Sequence, residues 1–155
     1  MLILSIINDF QKDFYKQDVV CYMSYYSYFQ YVVKKGKIGR KDGLFVIPKK
    51  QSKELEKSLE KYGTIYNQTN DFRKQLAINL GLYENEFQFG VIKLIIPYKF
   101  IKNLRIPCGE ENGCNNKWIK GGQLISGIRE GIINQIDKKK EPLLYNYIIK
   151  HVVGL

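Results

Sequence analysis

The sequence predicts an α+β domain built on a mainly antiparallel β-sheet, and three observations lead there. Short β-rich apolar runs are fenced by Gly or Pro, and helix-period segments with capping residues lie between them. Their order is strand, helix, strand, two helices, strand, long loop, strand, which is not the regular alternation of a parallel sheet. The chain of 155 residues suits one domain, residues 1–155, large enough to bury roughly 68–70% of its unfolded surface. A hydrophobic share of 45% with 14% aromatics is that of a packed globule rather than a disordered chain.

The elements follow in order. Met1 to Ile7 reads as a buried strand or a helix start, with Asn8-Asp9 capping a short helix through Tyr15. Val19 to Met23, rich in β-branched and aromatic residues, predicts a strand, and a helix follows from about Ser24 to Lys35. Its face is Tyr25, Tyr28, Phe29, Val32 and Val33, and Lys34-Lys35-Gly36 is its C-terminal signal. Gly43 to Pro48 is a buried strand between two breakers. Ser52 is expected to cap a helix carrying Leu55, Leu59 and Tyr62 and ended by Gly63. A second helix spans about Asp71 to Leu80, with Phe72, Leu76 and Leu80 on one face. Phe87 to Ile96 finishes as a nearly continuous apolar run, as a central strand does, and Pro97 stops it. Gly131 to Ile136 reads as the last core strand, and Pro142 opens a C-terminal tail whose apolar spacing suits a helix, with a strand as the alternative.

The stretch from Leu104 to Ile136 is too long for a simple connection. It combines Gly109, Gly113, Gly121, Gly122, Gly127 and Gly131 with the single Trp118 and the carboxylates Glu110, Glu111 and Glu130. Ser126 and Arg129 complete its polar set. Glycines permit positive φ or close approach of a ligand to the backbone. The stretch is therefore expected to fold over a pocket, with Gly121-Gly122 where the loop meets the sheet and Trp118 as a wall.

The formal net charge is +10, and Lys34, Lys35, Lys37, Arg40, Lys41, Lys49, Lys50 and Lys53 fall together against the single acid Asp42. Such a patch attracts a phosphate-bearing ligand or partner by counterion release. Cys108 and Cys114 match no zinc or redox spacing, and one His leaves no Cys/His cluster, so no metal is expected. Cys21 reads as a core residue and the other two cysteines as free thiols, which fits a reducing cytoplasm. The opening apolar run is too short to span a membrane and lacks a basic flank, so a soluble protein without a transmembrane segment is expected.

Three blocks in order carry a resemblance: Tyr28 to Ile38 (YFQYVVKKGKI), Gly43 to Pro48 (GLFVIP), and the spaced Gly121, Gly122, Gly127 and Glu130. Together they resemble the ADP-ribosyltransferase-like domains at the C-termini of bacterial polymorphic toxins. The resemblance covers roughly residues 20–136, leaving 137–155 as an extension. It implies a split, mainly antiparallel β-sheet with peripheral helices that grips NAD in a cleft, with Glu130 as the catalytic carboxylate. Tyr28 stands near the family's first motif and Gly43 to Phe45 near its second strand. The family's first-motif Arg or His, its Ser-Thr-Ser triplet and its Glu-x-Glu pair have no counterparts here. NAD glycohydrolysis therefore stands beside transfer to a protein or nucleic-acid acceptor. A toxin of this kind would be delivered as part of a larger secreted chain and matched by a cognate immunity protein.

The residue types suit that chemistry. Breaking the nicotinamide–ribose bond passes through an oxocarbenium-like state, which a carboxylate such as Glu130 stabilises. Trp118 or Tyr28 is a candidate to stack on a ring of NAD, Arg129 and Arg105 to hold the pyrophosphate, and Ser126 to hydrogen-bond. The alternative reading is a basic toxin nuclease or nucleic-acid-binding module that uses Lys34, Lys35, Arg40 and Lys41 on RNA or DNA.

Overall fold

Strand β1 (Val19–Ser24) is the axis of the sheet in the computed structural model, which describes residues 2–108, 118–119, 123–124 and 126–155. Along one edge it pairs over its full length with β4 (Val91–Ile96), antiparallel, from Val19↔Ile96 to Ser24↔Val91. Along the other it meets β3 (Leu44–Pro48) only at Val19↔Pro48 and Val20↔Ile47. Beyond that point β3 runs beside β7 (Gly131–Ile133), from Leu44↔Ile133 to Val46↔Gly131. The order is β4-β1-β3-β7, and every pairing is antiparallel. Two ribbons flank it, β2 (Lys37–Ile38) with β8 (Ile136–Asp137), and β5 (Trp118–Ile119) with β6 (Gln123–Leu124).

Alternation along the strands divides the apolar residues between two helical layers. Val19, Cys21, Leu44, Val46, Ile92, Leu94 and Ile133 pack with Phe10 and Phe14 of α1 (Leu2–Phe14) and with Leu144, Tyr145 and Ile148 of α5 (Pro142–Lys150). Val20, Ile47 and Val91 pack with Leu55 of α3 (Lys49–Ser58) and with Phe72, Leu76 and Ala77 of α4 (Asn70–Asn79). The expected α+β architecture with a mainly antiparallel sheet is thus present. After β1 the chain turns through α2 (Tyr25–Ser27), where the Ser24 hydroxyl accepts from the Ser27 amide. It then widens into a π-helical segment, Tyr28–Val33, with Lys34 N donating to Phe29 O. Tyr28 and Val32 face inward, while Phe29, Tyr31 and Val33 remain exposed.

Several local expectations change. Helix α1 runs through Asn8-Asp9 without a break. Ser52 caps nothing: α3 starts at Lys49 after extended Pro48, and Ser52 lies fully buried inside it. The apolar run ending at Ile96 is an edge strand rather than a central one, and it starts only at Val91. Both its faces are covered, and the C-terminal tail protects its edge: Lys93 and Val153 exchange backbone hydrogen bonds of 2.9 and 3.0 Å. The last strand is divided at Asn134-Gln135 between β7 and β8.

Candidate functional site

Where β1 leaves β3 a cleft of about 650 Å³ opens. Its walls include Cys21, Tyr22, Met23 and Ser24 from β1 and Gly43, Leu44 and Phe45 from the start of β3. Glu130, in the residues leading into β7, lines it, as do Glu86 and Phe87 after α4. Leu124 of β6, from the Leu104–Ile136 stretch, reaches the same space. A volume in this range suits a small organic ligand.

The residues on either side of Glu130 are anchored to α1 and α3. Arg129, nine-tenths buried, donates from Nε to the Asp13 carboxylate of α1 at 2.9 Å, and its backbone N–H donates to Gln51 Oε1 at 2.7 Å. Gly131 lets α1 approach: a Cβ there would stand 3.0 and 3.1 Å from the Phe14 and Phe10 rings and 2.9 Å from Leu104. That glycine serves helix-to-strand packing, whereas a Cβ on Gly127 would meet nothing within 4 Å among the described residues.

On the β1 wall, burial pushes the Cys21 thiol up to about 12, and the charge of Glu130 adds to the shift. Cys21, which lines the same cleft as Glu130, is therefore a neutral thiol and not a thiolate nucleophile at neutral pH. Tyr22 is held from below: its hydroxyl lies 2.7 Å from Ser52 Oγ and donates to Glu56 Oε2 at 2.5 Å. Lys93 Nζ approaches the same carboxylate at 2.6 Å. Burial first, then the Glu56 charge, raise the Tyr22 pKa, so the phenol stays protonated and fixed. This network joins β1, α3 and β4 through direct partners up to 37 positions apart, with no local motif to announce it.

The opposite wall is basic. Tyr31 and Lys35 line it from the end of the π-helical segment, Lys37 from β2, and Arg40 and Lys41 from the turn before β3. Lys37 is paired with Asp137 of β8. Arg40 and Gly43 close the turn with reciprocal backbone bonds of 3.1 and 3.0 Å.

Of the residues expected at a site, Glu130, Gly43 and Phe45 come together in the cleft. Tyr28 does not: it is 3% exposed in the core, where burial raises its pKa. Arg129 is committed to Asp13, and Ser126 donates to Asn79 O at 2.6 Å. Arg105 spends its guanidinium on Asp42 O at 2.6 Å and on Asn103 and Asn134, bracing the turn beside Gly43. Gly121 and Gly122 lie outside the described residues, and of Trp118 only the backbone pairing with Leu124 is described. Cys21, Tyr22, Tyr31 and Glu86 are wall residues that sequence patterning missed, since each reads locally as an ordinary strand, helix or surface residue. Among the described residues no group of three His, Cys, Asp or Glu is placed to hold a metal ion, and no helix is long and apolar enough to cross a membrane. Comparison of the chain with models of known protein families finds no match, and comparison with curated proteins finds none either.

Proposed function

We propose that the protein consumes NAD, as an ADP-ribosyltransferase or NAD glycohydrolase of the toxin type, with Glu130 as the carboxylate at the reacting centre. The observation that carries this reading is the cleft itself. It opens where β1 and β3 part, holds Glu130, and is walled by Gly43–Phe45. Those are the strand and the carboxylate that the resemblance assigns to NAD, and they come from segments far apart in the chain.

The chemistry asks little more of the protein. NAD seated with its nicotinamide ribose near Glu130 loses neutral nicotinamide as the C1′–N bond breaks and its electron pair returns to the pyridine nitrogen. Positive charge develops on the ribose, and an adjacent carboxylate stabilises it. The carboxylate also accepts a hydrogen bond from a ribose hydroxyl and so fixes the sugar. Cys21, neutral and buried, offers an apolar neighbour that strengthens this electrostatic effect. Phe45 supplies a flat apolar wall for a ring. Water or an acceptor nucleophile completes the reaction at C1′. As a toxin domain, the protein would be neutralised in its producer by an immunity protein that covers this cleft.

The test is direct: incubate the protein with NAD, alone and with cell extract, and separate the products by chromatography. Nicotinamide above the enzyme-free control supports the reading, and its absence under both conditions overturns it.

A further inference from the structure

We infer that the group receiving ADP-ribose at this cleft belongs to a single-stranded nucleic acid, bound along the wall formed by Tyr31, Lys35, Arg40 and Lys41; the inference rests on the NAD reading above. The wall is built from two elements. Tyr31 and Lys35 lie four positions apart at the end of the π-helical segment, and Lys35 Nζ sits 5.2 Å from the centre of the Tyr31 ring. Arg40 and Lys41 project from the turn that Gly39 and Gly43 permit by their positive φ of 92° and 134°.

The charge on this wall is uncommitted. Among the described residues Lys35, Arg40 and Lys41 enter no ion pair, whereas Lys37, Lys49 and Lys93 are matched to Asp137, Asp18 and Glu56. All three are exposed, and Lys34 stands next to them, also exposed. The pyrophosphate of NAD brings two negative charges, fewer than the cations gathered here. A protein acceptor presents charges of both signs and gains little from Lys35, Arg40 and Lys41 gathered on one wall. A nucleic-acid strand presents one phosphate per nucleotide, and neutralising several of them releases condensed counterions. Tyr31, 46% exposed, offers a ring face for a base, the combination of stacking and basic groove that single strands favour.

The transfer step balances without a further reagent. An amino or ring nitrogen of a base attacks C1′ of the nicotinamide ribose as the C1′–nicotinamide bond breaks. Nicotinamide leaves neutral, and the proton displaced from the attacking nitrogen passes to Glu130 or to water.

The test mixes the full chain, NAD labelled in the adenylate phosphate, 20-nucleotide single-stranded RNA and DNA, and bacterial protein extract, with nicotinamide release measured in parallel. The expected result is label on an oligonucleotide, removed by nuclease and not by protease. Fluorescence anisotropy should show oligonucleotide affinity reduced about 100-fold in Lys35→Glu/Arg40→Glu/Lys41→Glu, with the salt slope shallower by about 2. Tyr31→Ala, which leaves the charge intact, should weaken binding about 10-fold. Nicotinamide release with label only on protein, or only as free ADP-ribose, overturns this inference and leaves the NAD reading standing. No nicotinamide release overturns the NAD reading and this inference with it.

Discussion

Arg129 Nε donates to the Asp13 carboxylate at 2.9 Å, joining the residue before Glu130 to a helix 116 positions earlier in the chain. The Arg129 side chain is 10% exposed and that of Asp13 33%, so solvent screens the pair on one side only. Removing the guanidinium in Arg129→Leu should cost about 1–3 kcal/mol. For a chain of this size that is roughly 2–4 °C in Tm per kcal/mol. A double-mutant cycle with Asp13→Asn separates the pair from the packing of the arginine stem. Coupling of about 1 kcal/mol is expected, and zero coupling would show that the pair anchors nothing.

Gly43 and Gly127 both have positive φ, 134° and 90°, yet their surroundings differ. A Cβ on Gly43 would lie 2.4 Å from Ile132 Cγ2 and 2.9 Å from the Ile133 carbonyl, while one on Gly127 meets nothing within 4 Å among the described residues. Gly127→Ala should cost only the backbone strain, about 1 kcal/mol. Gly43→Ala adds a clash with β7 and should cost at least 2 kcal/mol more. Chemical denaturation of the two variants side by side checks the ranking, and equal losses would contradict the packing described for β3 and β7.

Cys21 and Cys108 should differ sharply toward alkylating reagents. The Cys21 thiol is buried and raised from 9.0 to about 12, whereas Cys108 is exposed. Mass mapping after iodoacetamide at pH 8 should find Cys108 modified and Cys21 untouched until the protein unfolds. The raised pKa has a sign for stability. The folded state keeps the proton that the unfolded state releases, so the contribution is whole below pH 9.0 and lost as pH rises toward about 12. Cys21→Ala should therefore flatten the alkaline limb of stability.

Asp137 carries the opposite sign. The hydrogen bond from Lys37 and then the backbone N–H of Lys139 hold its carboxyl below the ordinary 3.8. That contribution is whole above 3.8 and lost as pH falls through the lowered value. Asp137→Asn should make the β2–β8 ribbon insensitive to acid over that window, as amide exchange at Ile38 would show. The Ile38 amide is a suitable probe because Ile38 pairs with Ile136 in that ribbon.

What was legible in the sequence was local. Val19 to Met23, Gly43 to Pro48 and the helical reading of the Pro142 tail each carry their signal within a few residues, and each stands within a residue or two of where patterning put it. Ser52 misled because a hydroxyl before a helix-period run looks like a cap, and only the fold shows Tyr22 and Glu56 waiting for it. The apolar run ending at Ile96 misled because burial on both faces looks central, whether a strand or a tail closes the edge. The site was half legible. Glu130 stood out by its glycines and Gly43–Phe45 by its breakers. The β1 wall was not visible, because Cys21 and Tyr22 acquire their roles from partners on other strands and helices.

The most direct measurement of the central claim is nicotinamide release from NAD by the wild-type chain and by Glu130→Gln, with folding of both confirmed by Tm. The amide keeps the shape of the side chain and removes the charge that an oxocarbenium-like ribose requires. The account predicts release by the wild type and a rate lowered about 100-fold or more in the variant, with NAD affinity changed far less. Equal rates from the two proteins, or no release from either, would contradict it.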